Sequence, residues 1–172
     1  MPTRIEPLYG QGTIRNRTRT IADFINEDYE NIDNVVLLCV LKGSVNFFSD
    51  LSLMLDIEVE YEFIGLSSYE GTESTGNIDL TTKLPDVKGK NVIIVEDIVD
   101  TGRTIEYLKT RVCVDANDVK VCTLLDKPSR REVDVEPDYV VFTIDDLFVV
   151  GYGLDYNEQW RNLPFIGIYE EW

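Results

Sequence analysis

The sequence predicts an α/β fold with a central, mainly parallel sheet. Three apolar segments, residues 34–41, 92–95 and 119–125, have the length and β-branched composition of strands buried on both faces. Segments with apolar residues at helical spacing separate them, and such alternation of strands with helices is typical of a parallel sheet. At 172 residues the chain is expected to form one domain with a full hydrophobic core.

Local periodicity predicts the other elements. A first amphipathic helix is expected over residues 13–29, with Ile14, Ile21, Phe24 and Ile25 as its apolar positions. Further helices are expected after the strand at 34–41, extending to residue 55, and after residue 104, where Ile105, Leu108 and Val112 would form the buried face. Strands are also expected at residues 57–64 and 139–144.

Composition excludes several classes of function. The formal net charge of −16 argues against binding to nucleic acid, whose phosphates would be repelled. The absence of histidine excludes imidazole bases and histidine metal sites. Cys39, Cys113 and Cys122 lack the spacing of a zinc site and are expected in the core. No apolar run approaches the roughly 20 residues of a membrane span, so a cytoplasmic protein is expected.

Residues 91–104 carry the strongest functional signal. Glu96 and Asp97 directly follow the apolar run at 92–95, and a short polar loop containing Gly102 precedes the third predicted helix. Backbone amides at a helix start, with nearby threonine hydroxyls, can bind a phosphate. The carboxylates would face a cationic or hydroxylated group. A strand followed by a solvated acidic turn is the alternative when the residues are taken singly.

The full string closely resembles the phosphoribosyl-diphosphate (PRPP) signature of the type I phosphoribosyltransferases. Two later strings, Leu-Leu-Asp-Lys-Pro-Ser-Arg-Arg at 124–131 and Phe-Val-Val-Gly-Tyr-Gly-Leu-Asp-Tyr-Asn-Glu at 148–158, resemble the bacterial hypoxanthine-guanine branch of that family. The resemblance covers about residues 34–167. It differs at Asp145-Asp146-Leu147, where members of the family often have Pro-Asp-Lys, and this adds negative charge near the predicted base pocket.

The resemblance implies a fold and a reaction. The fold would be the type I phosphoribosyltransferase fold, with a small hood formed by the N-terminal segment and about residues 145–172. The reaction would be Mg²⁺-dependent transfer of ribose 5-phosphate from PRPP to N9 of hypoxanthine or guanine, giving IMP or GMP and pyrophosphate. Positive charge would develop at the ribose C1′ as pyrophosphate leaves. Mg²⁺ would also reconcile an acidic protein with a phosphorylated substrate.

The resemblance also assigns roles to residues 96–104. Glu96 and Asp97 would hold the ribose hydroxyls, directly or through Mg²⁺. Asp100 would lie at the purine N7 and is the candidate general base, since the chain has no histidine to accept the proton. The cradle for the 5′-phosphate would comprise Asp100, Thr101, Gly102, Arg103 and Thr104.

A second group of residues would bind pyrophosphate. Leu41-Lys42-Gly43, directly after a predicted strand, resembles the pyrophosphate loop of the hypoxanthine-guanine branch, in which the peptide before the lysine is often cis. Arg161 would add a guanidinium fork for the same group. Asp155 would serve a second Mg²⁺ and belong to the purine pocket.

The purine itself would be bound by the last third of the chain. Lys127 would donate to the purine O6, Phe148 would stack on the ring, and the Val149 backbone would contact its polar edge. Ordinary core packing is the alternative for Phe148. The polar segment 67–79 is interpreted as a lid, with Ser68 and Tyr69 closing over the reaction centre, and a disordered insertion is the alternative.

Three questions stay open at the level of sequence. The base could be xanthine rather than hypoxanthine or guanine, and a regulator that binds PRPP without catalysis would share most of these motifs. Asp100 favours an enzyme, because a regulator would not need an acid there. A homodimer or homotetramer is expected, without a means of choosing between them.

Overall fold

The computed structural model describes residues 3–68 and 78–171. These residues form two sheets with helices packed on the larger one. The elements in chain order are β1 Thr3–Tyr9, α1 Gln11–Asp28, β2 Val35–Leu41, α2 Val45–Ser52, β3 Val59–Ser68, β4 Ile78–Leu80, β5 Asn91–Val99, α3 Arg103–Tyr107, β6 Asp118–Asp126, β7 Tyr139–Thr143, β8 Val149–Val150 and β9 Ile166–Glu171. A π-helical turn, Leu108–Val112, continues α3.

The larger sheet has the strand order β4-β3-β2-β5-β6-β7. The β4 edge strand is antiparallel to β3, and every other neighbouring pair is parallel. Parallel strands end at the same edge of a sheet, so the carboxyl ends of β2, β5 and β6 lie side by side. The predicted α/β fold with a mainly parallel sheet is confirmed.

Both faces of the larger sheet are covered by apolar packing. In β2, Val35, Leu37 and Cys39 pack on the side of α1 and α2, whereas the intervening residues pack on the side of α3. This explains why the strand is apolar throughout instead of alternating. The three cysteines are free and buried, as expected.

The smaller sheet joins the two ends of the described chain. β9 pairs antiparallel with β1 on one side and with β8 on the other, and Thr3 lies opposite Glu171. The strands of this sheet come from the N-terminal segment and the last part of the described chain, the two segments predicted to form the hood. None of the helices in the described ranges is both long and apolar enough to cross a membrane.

Two local expectations were wrong. Phe24 is 54% exposed, because α1 turns only Ile14, Ile21 and Ile25 of the predicted set into the core. The strand expected to end at residue 95 continues to Val99, so Glu96 and Asp97 belong to β5 rather than to the loop after it. Pairing with β6, in which Glu96 lies opposite Thr123, extends the strand beyond its apolar run.

Candidate active site

A cleft of about 320 Å³ opens at the carboxyl edge of the larger sheet. Its lining comes from the end of β2, from β5 and from the loop that leads into α3. The described lining residues are 40–41, Leu66, Ile78, 96–102, Thr104 and Ile105. The structure therefore brings the predicted carboxylates and the predicted phosphate loop to one cavity.

Glu96 and Asp97 lie next to each other on a strand with little access to water. Glu96 is only 6% exposed, and burial raises the pKa of its carboxyl group well above the usual value; the charge of Asp97 raises it further. Burial also raises the pKa of Asp97, although hydrogen bonds and the charge of Arg161 act in the opposite direction. A buried acid beside a partly buried one is costly unless a cation or hydroxyl groups contact them.

Gly43 lies directly against Asp97. A Cβ at residue 43 would overlap the Asp97 carboxylate, and a Cβ at Gly153 would overlap the carbonyl oxygen of Gly43. Gly153 also has a left-handed backbone, with φ of 108°. The loop after β2 is thus packed between β5 and the segment that follows β8, with no room for side chains at either glycine.

The predicted cis peptide between Leu41 and Lys42 is present. Beyond it, the Nζ of Lys42 lies 3.1 Å from Glu158, and the guanidinium of Arg161 lies 3.2 Å from the same carboxylate and 2.9 Å from Asp155. The structure therefore brings together the two cations predicted to bind pyrophosphate, although 119 positions separate them in sequence (161 minus 42).

The loop from Asp100 to Thr104 has the geometry of an anion-binding turn. Gly102 has a left-handed backbone with φ of 85°, and a Cβ there would lie 2.9 Å from Val133. The segment after residue 130 supports the loop from behind. Arg131 donates to the carbonyl of Val99 at 3.1 Å, and the amide of Glu132 donates to the carbonyl of Thr101 at 3.0 Å.

Arg103 differs from its neighbours in this loop. Its guanidinium lies 2.6 Å from Glu132 and is 57% exposed. The described lining of the cleft includes Thr101, Gly102 and Thr104 but not Arg103. The arginine side chain is therefore engaged in a surface ion pair.

Lys127 and Phe148 lie in contrasting surroundings. Lys127 is 6% exposed, and its amide donates to the carbonyl of Val99, so its backbone is fixed at the end of β5. Phe148 is 53% exposed and contacts Tyr156 and Tyr169 at ring-centroid distances of 5.6 and 5.8 Å. Ordinary core packing of Phe148 is thus contradicted. The side chain of Val149, whose backbone was predicted to contact the purine, is buried.

Three charged residues at this edge form ion pairs that the sequence did not predict, although negative charge near the base pocket was expected at Asp146. Arg130 pairs with Asp100 at 3.1 Å, Asp146 pairs with both Lys127 and Arg130 at 3.5 Å, and Glu158 joins Lys42 to Arg161. Apart from Arg161, which lies three positions from Glu158, each partner lies in a different segment of the chain. The only local signal was the concentration of charge at residues 126–131 and 145–146.

The predicted lid is described only at its two ends. Ser67 of β3 lies opposite Asp79 of β4, so the boundaries proposed for the lid are neighbours in the sheet. Ser68 is the last residue of β3, whereas Tyr69 lies outside the described residues. The interpretation of residues 67–79 as a lid stays a prediction.

The raised pKa of Glu96 predicts how stability depends on pH. A raised pKa in the folded state favours the protonated carboxyl group, so the free energy of unfolding falls as pH rises from the ordinary glutamate value through the raised one. In ligand-free protein at pH 8, Glu96→Gln should raise the melting temperature by about 2–8 °C, or about 1–2 kcal/mol. The difference should vanish toward pH 4. Calorimetric melts across this range measure it.

The matched control is Glu27→Gln, which removes the same charge from an exposed position of α1. Its melting temperature should track that of the wild type at every pH. A Glu96→Gln protein with the same pH profile as the wild type would contradict a raised pKa of the Glu96 carboxyl group.

Comparison with known proteins agrees with this geometry. Residues 8–157 match the family model described as the phosphoribosyl transferase domain, and the chain belongs to this family. The chain is 41% identical over 167 residues to the hypoxanthine-guanine phosphoribosyltransferase of Streptococcus pyogenes, covering 95% of this chain and 92% of that protein. It is 42% identical over 163 residues to the protein of the same name from Lactococcus lactis, covering 94% and 88%.

Solved structures give the same result for the fold. A crystal structure of a hypoxanthine-guanine phosphoribosyltransferase from Bacillus anthracis matches with a TM-score of 0.91 at 39% identity, covering 99% of this chain and all of that one. A hypoxanthine phosphoribosyltransferase from Staphylococcus aureus matches with a TM-score of 0.90 at 40% identity, covering 96% and 91%. The predicted family and the type I phosphoribosyltransferase fold are confirmed.

Proposed function

We propose that this protein is a purine salvage enzyme that transfers ribose 5-phosphate from PRPP to N9 of hypoxanthine or guanine, releasing pyrophosphate and forming IMP or GMP. The observation that carries the proposal is the convergence of three groups at one sheet edge: Glu96 and Asp97, the loop at 100–104, and the cations Lys42 and Arg161. The names of the similar proteins give independent support.

The ribose and its 5′-phosphate occupy the cleft. Thr101, Gly102 and Thr104 bind the phosphate through backbone amides and hydroxyl groups, a role supported by the left-handed turn at Gly102. Arg103 belongs to the same loop and supplies its backbone. Glu96 and Asp97 contact the ribose hydroxyls, and their negative charge stabilises the cation that develops at C1′ in an oxocarbenium-like transition state.

The departing pyrophosphate binds at the loop formed by Leu41, Lys42 and Gly43, together with Arg161. In the ligand-free protein Glu158 neutralises both cations. A pyrophosphate group carries more charge than one carboxylate and offers the forked oxygens that a guanidinium recognises. Pyrophosphate therefore displaces Glu158 from these two side chains.

The purine lies between Phe148 and Lys127. Lys127 donates to O6, the backbone of Val149 contacts the polar edge, and the exposed ring of Phe148 stacks on the base. Asp100 acts as the general base at N7. Its carboxylate is held by an ion pair with Arg130 at 3.1 Å.

Mg²⁺ is the expected cofactor, and the donor set fits it. Magnesium keeps several waters and is bound through one or two carboxylates together with substrate phosphates. Glu96 and Asp97 provide such a pair, and Asp155 provides a carboxylate for a second ion. When bound, Mg²⁺ neutralises charge on the pyrophosphate group.

The proposal also covers the lid, the location of the protein and its assembly. The segment 67–79, including Ser68 and Tyr69, closes over the cleft and excludes water that would hydrolyse PRPP. The whole chain acts as one cytoplasmic domain. It assembles as a homodimer or homotetramer, which is supported by the exposed apolar side chains of Leu53, directly after α2, and of Tyr61 and Phe63 on β3.

A purine panel tests the proposal. Purified protein is incubated with PRPP, Mg²⁺ and one base at a time, and nucleotide and pyrophosphate are both quantified. Hypoxanthine or guanine should give stoichiometric nucleotide and pyrophosphate, and chelation with EDTA should stop the reaction. If only xanthine were converted, the substrate would be xanthine in place of hypoxanthine or guanine. Tight binding of PRPP without turnover of any base would indicate a regulator and overturn the proposal.

A further inference from the structure

Four side chains of alternating charge form a row beside the proposed purine pocket. The Nζ of Lys127 lies 3.5 Å from Asp146 Oδ1, and Asp146 Oδ2 lies 3.5 Å from an Nη of Arg130. The Nε of Arg130 lies 3.1 Å from Asp100 Oδ1. The row joins the proposed O6 donor at one end to the proposed general base at the other.

The ion pair with Asp146 determines where the Lys127 ammonium group lies. The side chain of Lys127 is 8% exposed, and a buried ammonium group without a partner is strongly disfavoured. Within residues 3–68 and 78–171, Asp146 is the one carboxylate that pairs with it. The adjacent Asp126 is already paired with Arg131. The long, flexible lysine side chain therefore takes its direction from Asp146.

Asp146 also acts on the other end of the row. Arg130 is shared between Asp100 and Asp146, so the position of its guanidinium depends on both carboxylates. Asp146 itself is 55% exposed, and it reaches the row from the segment between β7 and β8. Because Asp146 is exposed, its charge can be removed by substitution without disturbing the packing of the core.

We propose that Asp146 is a positioning residue for recognition of the 6-oxopurine, which holds Lys127 toward O6 and, through Arg130, fixes Asp100 relative to the same base. This inference rests on the proposed transferase function and deepens it. Asp146 does not touch the reacting atoms. It sets the spacing between the donor at O6 and the acceptor at N7, and the contact at O6 is the one that distinguishes a 6-oxopurine from a 6-aminopurine.

The test compares Asp146→Asn with Asp145→Asn in the full chain. The two changes remove the same charge from adjacent exposed residues, and among the described residues no ion pair involves Asp145. Asp146→Asn should raise KM for hypoxanthine or guanine about tenfold, a modest value because the pair is half-exposed. KM for PRPP should change less than twofold, since the backbone of the phosphate loop and Lys42 are untouched. Asp145→Asn should match the wild type.

Two further variants separate positioning from general damage. Asp146→Glu keeps the carboxylate and should recover most of the lost affinity for purine. Arg130→Gln combined with Asp146→Asn should cost less than the product of the single effects, because both act through one row.

The outcomes are separable. A wild-type protein that turns over no purine would overturn the proposed function itself. An active wild type with equal purine KM values for the two Asn variants would overturn the role of Asp146 alone. The same would follow from parallel rises in KM for purine and PRPP, or from Asp146→Glu behaving like Asp146→Asn.

Discussion

Replacement of Asp100 by Ala is expected to reduce nucleotide formation at saturating substrate by about 10²–10⁴-fold, the usual contribution of a general base. PRPP should still raise the melting temperature of the variant. Its binding depends on the backbone of the loop, which Arg131 and Glu132 hold from behind through the carbonyls of Val99 and Thr101. Steady-state rates with hypoxanthine or guanine and thermal melts with and without PRPP provide both measurements.

Asp100→Asn refines this experiment, because it keeps the shape of the side chain and removes only its ability to accept a proton. It should be as slow as the Ala variant. Asp145→Asn serves as the charge-matched control and should keep the wild-type rate. An undiminished rate in either Asp100 variant would remove this residue from the mechanism, whereas loss of the PRPP-induced stabilisation would show that it serves binding instead.

Gly43→Ala is expected to reduce kcat/KM for PRPP by about 100-fold, equivalent to about 2.7 kcal/mol. The new methyl group would overlap the Asp97 carboxylate, which would have to rotate away from its present position at the carboxyl edge of the sheet. The effect should therefore fall on the geometry of the ribose and pyrophosphate subsites. Initial rates measured over a range of PRPP concentrations at a fixed, saturating purine concentration report it.

Gly12→Ala is the matched control for this substitution. It makes the same chemical change on α1, where a Cβ would meet nothing within 4 Å, and alanine is the better helix former. It should leave kcat/KM unchanged and the melting temperature equal or higher. Wild-type kinetics in Gly43→Ala would contradict the close contact between residue 43 and Asp97.

Much of the fold was predictable because its signals are local. The apolar runs in β2, β5 and β6 have the composition of strands buried on both faces, and pairing in the sheet follows from their alternation with helices. Strand ends were less predictable. β5 continues through Glu96 and Asp97 because hydrogen bonds to β6 outweigh the poor strand preference of acidic residues, and these bonds come from another part of the chain.

The residues of the candidate site also fall into two groups, those that the sequence could predict and those that it could not. The phosphate loop and the cis peptide at Leu41–Lys42 are encoded by contiguous residues, so their motifs were recognisable in the sequence. Ion pairs such as those of Glu158 with Lys42 and of Asp146 with Lys127 join segments that meet only after folding. No spacing rule connects such residues, and their roles therefore emerge only from the three-dimensional arrangement.

The pairing of β1 with β9 links both ends of the described chain to the base-binding region. Thr3 lies opposite Glu171, and Tyr169 on β9 contacts the ring of Phe148. A truncation that removes β9 would leave both β1 and β8 without their partner in this sheet and take away Tyr169, and one that removes β1 would expose one edge of β9. Either change would loosen the aromatic group around Phe148. A change at either end of the described chain, although remote in sequence, would therefore alter the affinity for the base. Affinity tags and fusion partners should consequently be joined through flexible linkers.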